Sequence, residues 1–225
     1  MIYSIISSGS AGNAVVYHET LMVDCGVPYT AIKPYVKQLQ IVLLTHEHGD
    51  HLVESTVSKL ARERPSLWWG VPTYLIDKCR ELGVKRIFEV KLNTTIKLFN
   101  FFIKPVMLYH NVDNVGYSIT NINLKGIYHF HHKLFHATDT YTLEGISAKN
   151  YDAYFIEFNY KESEIGDIIL EKESMGGYVY EHLSIENHQS FEKAEGWLNK
   201  NAAPESLIVK LHVSSKFENQ DEGIN

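Results

Sequence analysis

Residues 41–51 read IVLLTHEHGDH: four apolar side chains end, and three histidines and an aspartate follow within the next seven positions. A short apolar run bounded by polar and turn-forming residues is the pattern of a buried strand. Whatever fold the chain adopts must therefore end a buried strand where His46, His48, Asp50 and His51 can converge. In an extended segment residues i and i+2 point the same way, so His46 and His48 can bind one metal from one side. Asp50 and His51, one turn further on, can reach a second metal about 3.5 Å away. Neutral imidazole suits Zn²⁺, and a carboxylate on the second metal leaves a position open for water. The bland reading, four polar side chains on a solvated loop, is disfavoured by the buried strand that delivers them.

Composition bounds the rest. With 225 residues, 44% hydrophobic and 21% charged, the chain suits one globular domain, expected over residues 1–216 with a polar tail at 217–225. A net charge of −6 excludes a general electrostatic pull toward nucleic acid or anionic membrane, so a polyanionic substrate needs a local site. No apolar run approaches about 18 residues, and the opening MIYSIISSGSAGN lacks a basic segment leading into an apolar one. A soluble, cytoplasmic protein is expected. The two cysteines, Cys25 and Cys79, are too few for a disulfide framework and read as core thiols. Histidine is the anomaly, with 12 residues that cluster along the chain.

The first 25 residues alternate apolar runs with small-residue turns and predict three short strands. A short helix is expected over 28–39, a strand at 41–44, helices at 54–64 and 75–82 around a strand near 71–74, and Gly83 as a C-cap. Strands return in RIFEV, TTIKLFNFFIKPVML, GYSITNIN and GIYHFHHKLFHA. A strand AYFIEFNY, a charged helix at 161–174, one helix over 184–200 and a last strand SLIVKLHVSS complete the chain. This order suggests layers of sheet covered by helices.

With these motifs the sequence resembles the metallo-β-lactamase-fold hydrolases along most of its length. SGSAGNAVVY and LMVDCG are similar to that family's opening strands, with Asp24 at its structural aspartate, and THEHGDH resembles its dinuclear metal motif. The resemblance implies an αβ/βα sandwich: an α+β fold of two mixed sheets packed together, with helices on the outer faces. It implies His46, His48 and His110 on one ion, Asp50, His51 and His212 on the other, and Asp139 bridging them. Two Zn²⁺ per chain follow from the likeness, with Mn²⁺ or Fe²⁺ as alternatives. The C-terminal part is similar to the phosphodiesterase branch typified by ribonuclease Z, in which a glutamate after an apolar strand and a histidine form a proton-donating pair. Glu157 and His182 stand at the matching places, Asp50 being the third catalytic candidate. There is no long Gly- and Pro-rich arm and the net charge is acidic, which argues against processing of pre-tRNA, and the TYTLEG that follows Asp139 departs from the family's commoner Thr-Gly and points to an unusual loop there. The compact form resembles small phage-borne relatives, some of which degrade cyclic nucleotide messengers. Such relatives often form homodimers.

Other residues carry less. His129, His131, His132 and His136 fall in one strand pair, where alternation splits them between two faces, so a hairpin is expected rather than a further metal site. His18 and His188 show no signal. Trp68 and Trp69 suit core packing better than base stacking. The expected activity is hydrolysis of a nucleotide phosphodiester, of a cyclic nucleotide or a single-stranded nucleic-acid end, with water activated between the two ions. A thioester or lactone hydrolase and a non-catalytic, metal-stabilised binding protein are the alternatives.

Overall fold

The computed structural model describes residues 1–125 and 128–217, with side chains described for 1–122 and 131–217. The chain divides into two compact units, Met1–Thr94 and a second beginning at Thr95.

The first unit is a six-stranded mixed sheet. Strands β1 (Tyr3–Ser7), β2 (Ala14–Tyr17) and β3 (Leu21–Val23) form the expected antiparallel meander, and β4 (Ile41–Leu43), β5 (Trp68–Pro72) and β6 (Arg86–Val90) continue it in parallel. Every residue of β2, β3 and β4 is buried, which explains why these strands read as unbroken apolar runs. Helix α1 (Tyr29–Ile32) is shorter than the expected 28–39, and turns follow it to Gln38. Helix α2 (Glu54–Glu63) buries Val57, Leu60 and Ala61, the three- and four-residue spacing of one helical face. Strand β5 lies three residues earlier than expected and places Trp69 in the core, with a 3₁₀ turn leading into α3 (Ile76–Glu81). Gly83, at φ +94°, follows the C-cap as the position requires. Both cysteines are buried and free of disulfides, and burial pushes the Cys79 thiol up to about 11.

The second unit is also a six-stranded mixed sheet. A meander of β7 (Ile96–Leu98), β8 (Phe101–Leu108), β9 (Asn114–Lys125) and β10 (Tyr128–Ala137) leads to β11 (Ala153–Glu157) and β12 (Leu207–Leu211), both parallel to β10. Residues 94–108, read as one strand, are two, folded back on each other around Phe99 at φ +53°. Helix α4 (Glu162–Ser174) matches expectation. The single helix expected at 184–200 is instead two, α5 (Glu181–Asn187) and α6 (Phe191–Asn201). Phe217, taken as the first residue of a polar tail, is buried in the core of this unit; 218–225 lie outside the described residues.

The fold is thus α+β with two mixed sheets and helices. Among the described residues no helix is long and apolar enough to cross a membrane.

Candidate metal centre

In each unit the ligand-type side chains stand at the carboxyl ends of parallel strands. In the first, β3 and β4 run side by side, so Asp24 and the segment from Thr45 onward emerge together. The Asp24 carboxylate is 1% exposed and is held in a left-handed turn at φ +63°. It accepts from the Thr45 amide at 2.8 Å and the Thr45 hydroxyl at 2.9 Å, and faces His51 Nδ1 at 2.7 Å. Burial pushes this carboxyl above its ordinary value, and the His51 and Thr45 contacts oppose that. The His51 Nδ1–H donated to Asp24 fixes the tautomer, so Nε2 is the nitrogen left with a lone pair for an ion. Thr45 Oγ1 also lies 3.0 Å from His46 Nδ1. His46 and His51 are wholly buried, their ring centroids 4.1 Å apart, and His48 stands 4.7 Å from His46. Asp50 Oδ2 is 3.5 Å from His51 Nε2. The expected convergence of His46, His48, Asp50 and His51 is present, and a carboxylate that orients an imidazole is the usual support of a metal ligand.

In the second unit β10, β11 and β12 are parallel, so Asp139, Glu157 and His212 reach the same end of the sheet although 73 positions separate the first from the last (212 − 139). Asp139 at φ +53° and His212 at φ +52° both turn their strands sharply, a conformation that costs about 1–3 kcal/mol and concentrates at functional sites. Asp139, Glu157, His188 and His212 each offer a ligand atom within 4.8 Å of the others. Asp139 Oδ1 is 3.4 Å from His212 Nε2 and 3.6 Å from His188 Nδ1. His110 follows β8 and points Nδ1 at the Asn187 carbonyl, 3.1 Å away, which leaves Nε2 as the nitrogen with a lone pair to offer.

Glu157 is paired with a histidine that the sequence reading passed over. Its Oε1 lies 2.7 Å from His188 Nδ1 and 3.1 Å from His212 Nδ1, while Oε2 accepts from the Thr140 amide at 2.8 Å. Burial works to raise the Glu157 carboxyl, but the His188 and His212 imidazoles outweigh it and hold the group below the ordinary carboxylate range. Burial likewise works to lower His188, and the Glu157 carboxylate outweighs it and raises this imidazole. The expected partner, His182, is not there. It sits inside α5 with 56% of its side chain exposed, 3.5 Å from Glu173. The correction has a local cause: residues 188–190 leave the helix and run extended beside Asn159 and Tyr160, tied by Asn159 N to Gln189 O at 2.9 Å and Phe191 N to Tyr160 O at 2.8 Å. Ser190 then caps α6, accepting from the Lys193 amide at 3.1 Å.

Among the described residues none of His131, His132 and His136 belongs to a group of three ligand-type side chains close enough to hold an ion, and the side chain of His129 lies outside the described set. His136 faces the interior opposite Tyr117, and His131, one position before His132, is exposed. Trp68 carries Arg86 above its ring at 5.5 Å and Trp69 is 1% exposed, so neither is an open stacking platform.

Solved structures share this architecture. No protein-family model matches the chain. A UPF0173 metal-dependent hydrolase of Thermococcus onnurineus (strain NA1) is 25% identical over 151 residues, 63% of this chain and 63% of that protein. The metallo-β-lactamase fold protein YhfI of Bacillus subtilis superposes with a TM-score of 0.67 at 15% identity, covering 95% of this chain and 86% of its own. The short form of human tRNase Z does so with a TM-score of 0.66 at 15% identity, covering 97% and 94%.

Proposed function

We propose that this chain, which has the metallo-β-lactamase fold, is a metal-dependent hydrolase of phosphodiester bonds. The observation that carries the reading is the Glu157–His188 pair set against Asp139, since it joins a proton donor to a ligand-type carboxylate at one sheet end. A relative described as a metal-dependent hydrolase and the fold shared with tRNase Z support it.

In this reading His46, His48 and His110 would hold one divalent ion and Asp50, His51 and His212 a second, with Asp139 as a further carboxylate ligand. The donor set is rich in imidazole with oriented second nitrogens, which fits Zn²⁺. Bound there, the ions would supply Lewis-acid polarisation of a phosphoryl oxygen and activation of water. The chain's own residues do the rest. Asp24 and the Asn187 carbonyl fix the ring nitrogens that His51 and His110 present. Asp50 and Asp139 supply carboxylates that orient the attacking water. His188 gives Nδ1–H to Glu157, so Nε2–H is the proton it delivers to the departing alkoxide. Glu157 raises that imidazole above its ordinary value, favouring the protonated form that a proton donor needs, and its own negative charge offsets the cation. A thioester hydrolase would not need this pair, because a thiolate departs without a proton. With a net charge of −6, the substrate is a small nucleotide phosphodiester or a single-stranded end rather than a long duplex.

The test is an assay of purified protein of known metal content against 3′,5′-cyclic mononucleotides, single- and double-stranded nucleic acids, bis(p-nitrophenyl) phosphate, a thioester and a lactone, with Asp50→Ala as control. Phosphodiester cleavage lost in the control supports the reading. Cleavage of acyl substrates with inert phosphodiesters overturns it.

A further inference from the structure

The loop between β1 and β2 carries a buried side chain that touches the metal motif directly. Asn13 is 5% exposed and its amide is anchored at both ends. Its Oδ1 accepts from the Gly9 amide at 2.9 Å, which orients the group, and its Nδ2 donates to the Gly9 carbonyl at 3.0 Å. Nδ2 also lies 3.2 Å from Asp50 Oδ2 and 2.8 Å from His51 Nε2. The backbone is locked as well: the Asn13 amide donates to the Asp50 carbonyl at 2.6 Å, and Gly26 N to the Asn13 carbonyl at 2.9 Å. Glycines make this approach possible. A Cβ at Gly26 would fall 1.7 Å from the Asp50 carbonyl oxygen, and one at Gly12, φ +144°, would fall 2.4 Å from Gly26 O.

An amide nitrogen has two hydrogens, and one is committed to Gly9. The other faces the His51 lone pair and the Asp50 carboxylate, with the Asp50 carbonyl a longer third acceptor at 3.3 Å. His51 Nδ1–H already belongs to Asp24, so Nε2 can only accept. We propose that Asn13 is a positioning residue that holds Asp50 and His51 in ligating register before an ion enters. Its second hydrogen then passes from His51 Nε2 to Asp50 Oδ2 when the imidazole is taken up by metal. The inference rests on the metal reading above and adds to it a residue that is no ligand. It also gives a reason for the small residues of SGSAGN: the turn must bring one amide against the metal loop with no Cβ in the way.

The experiment is a Co²⁺ titration of the apo protein, wild type against Asn13→Ala, followed by visible absorption and by chelator competition. Far-UV circular dichroism confirms the fold, and Asn13→Ser, whose hydroxyl is too short to reach Asp50, is read the same way should the alanine variant fail to fold. Wild type should bind in two phases. The variant should weaken one of them roughly 10- to 100-fold, as loss of an outer partner does, and leave the other in place. Equal affinities in wild type and variant, or an equal loss in both phases with a lowered melting temperature, would show Asn13 to be merely structural and overturn the inference. A wild type that binds no cobalt would overturn the metal reading itself.

Discussion

Glu157 chooses between two histidines, and the choice follows from where each backbone goes. His182 is enclosed in α5 and faces solvent and Glu173, whereas His188 lies on the extended step after that helix, with 19% of its side chain exposed. Replacing His188 with Ala should lower kcat on the order of 10²- to 10⁴-fold with metal content unchanged, the usual range for a lost general acid. His182→Ala should leave kcat where it was. Steady-state kinetics and elemental analysis on the two variants separate the roles, and the reverse result would return the assignment to His182. The four ligand-type residues of the THEHGDH motif were legible because they follow one apolar strand at short spacing. His188 was not, since its meaning depends on Glu157, 31 positions earlier, and a lone histidine before glutamine has no pattern of its own.

At the scale of elements, the break between α5 and α6 was written in the sequence but overlooked. Phe191, Ala194 and Leu198 keep three- and four-residue steps, while Ile185 stands six residues before Phe191, about a third of a turn out of phase. The strand expected near 71–74 lies at 68–72, where Trp69 packs into the core as its size suggests. A third element property lies in α4 and α5, joined by buried Glu181, which accepts from Lys172 at 2.7 Å and from Lys216. Burial works to raise this carboxyl, but the two ammonium groups outweigh it and hold it down at about 2. Because the folded value lies below the ordinary one near 4.5, the stabilisation is present above about pH 4.5 and disappears as pH falls toward 2. Urea unfolding of wild type and Glu181→Gln should therefore differ by at most about 3 kcal/mol at neutral pH and converge only as pH falls to about 2. A difference that persists at pH 2 would contradict the pairing.

Across the whole molecule the proposed ligands are held at strand ends, two of them in left-handed turns, and that arrangement is strained and crowded with polar groups. Metal should relieve it. Removing divalent ions with an excess of chelator should lower the melting temperature, each ion at 100 times its dissociation constant being worth about 2.7 kcal/mol of stability. A melt that does not move while elemental analysis shows metal lost would argue against a structural share for these sites. Most strands and the clustering of His46, His48, Asp50 and His51 could be read from the sequence, because apolar periodicity and the spacing of THEHGDH are properties of neighbours along the chain, while the fold class followed from the family those motifs resemble. Which histidine meets Glu157, how Asn13 reaches Asp50 and why Asp139 and His212 come together are set by strand register and loop closure. Those pairings join residues 31, 37 and 73 positions apart, counted from 188 − 157, 50 − 13 and 212 − 139, and no local pattern encodes a contact that exists only once the parallel strands lie side by side.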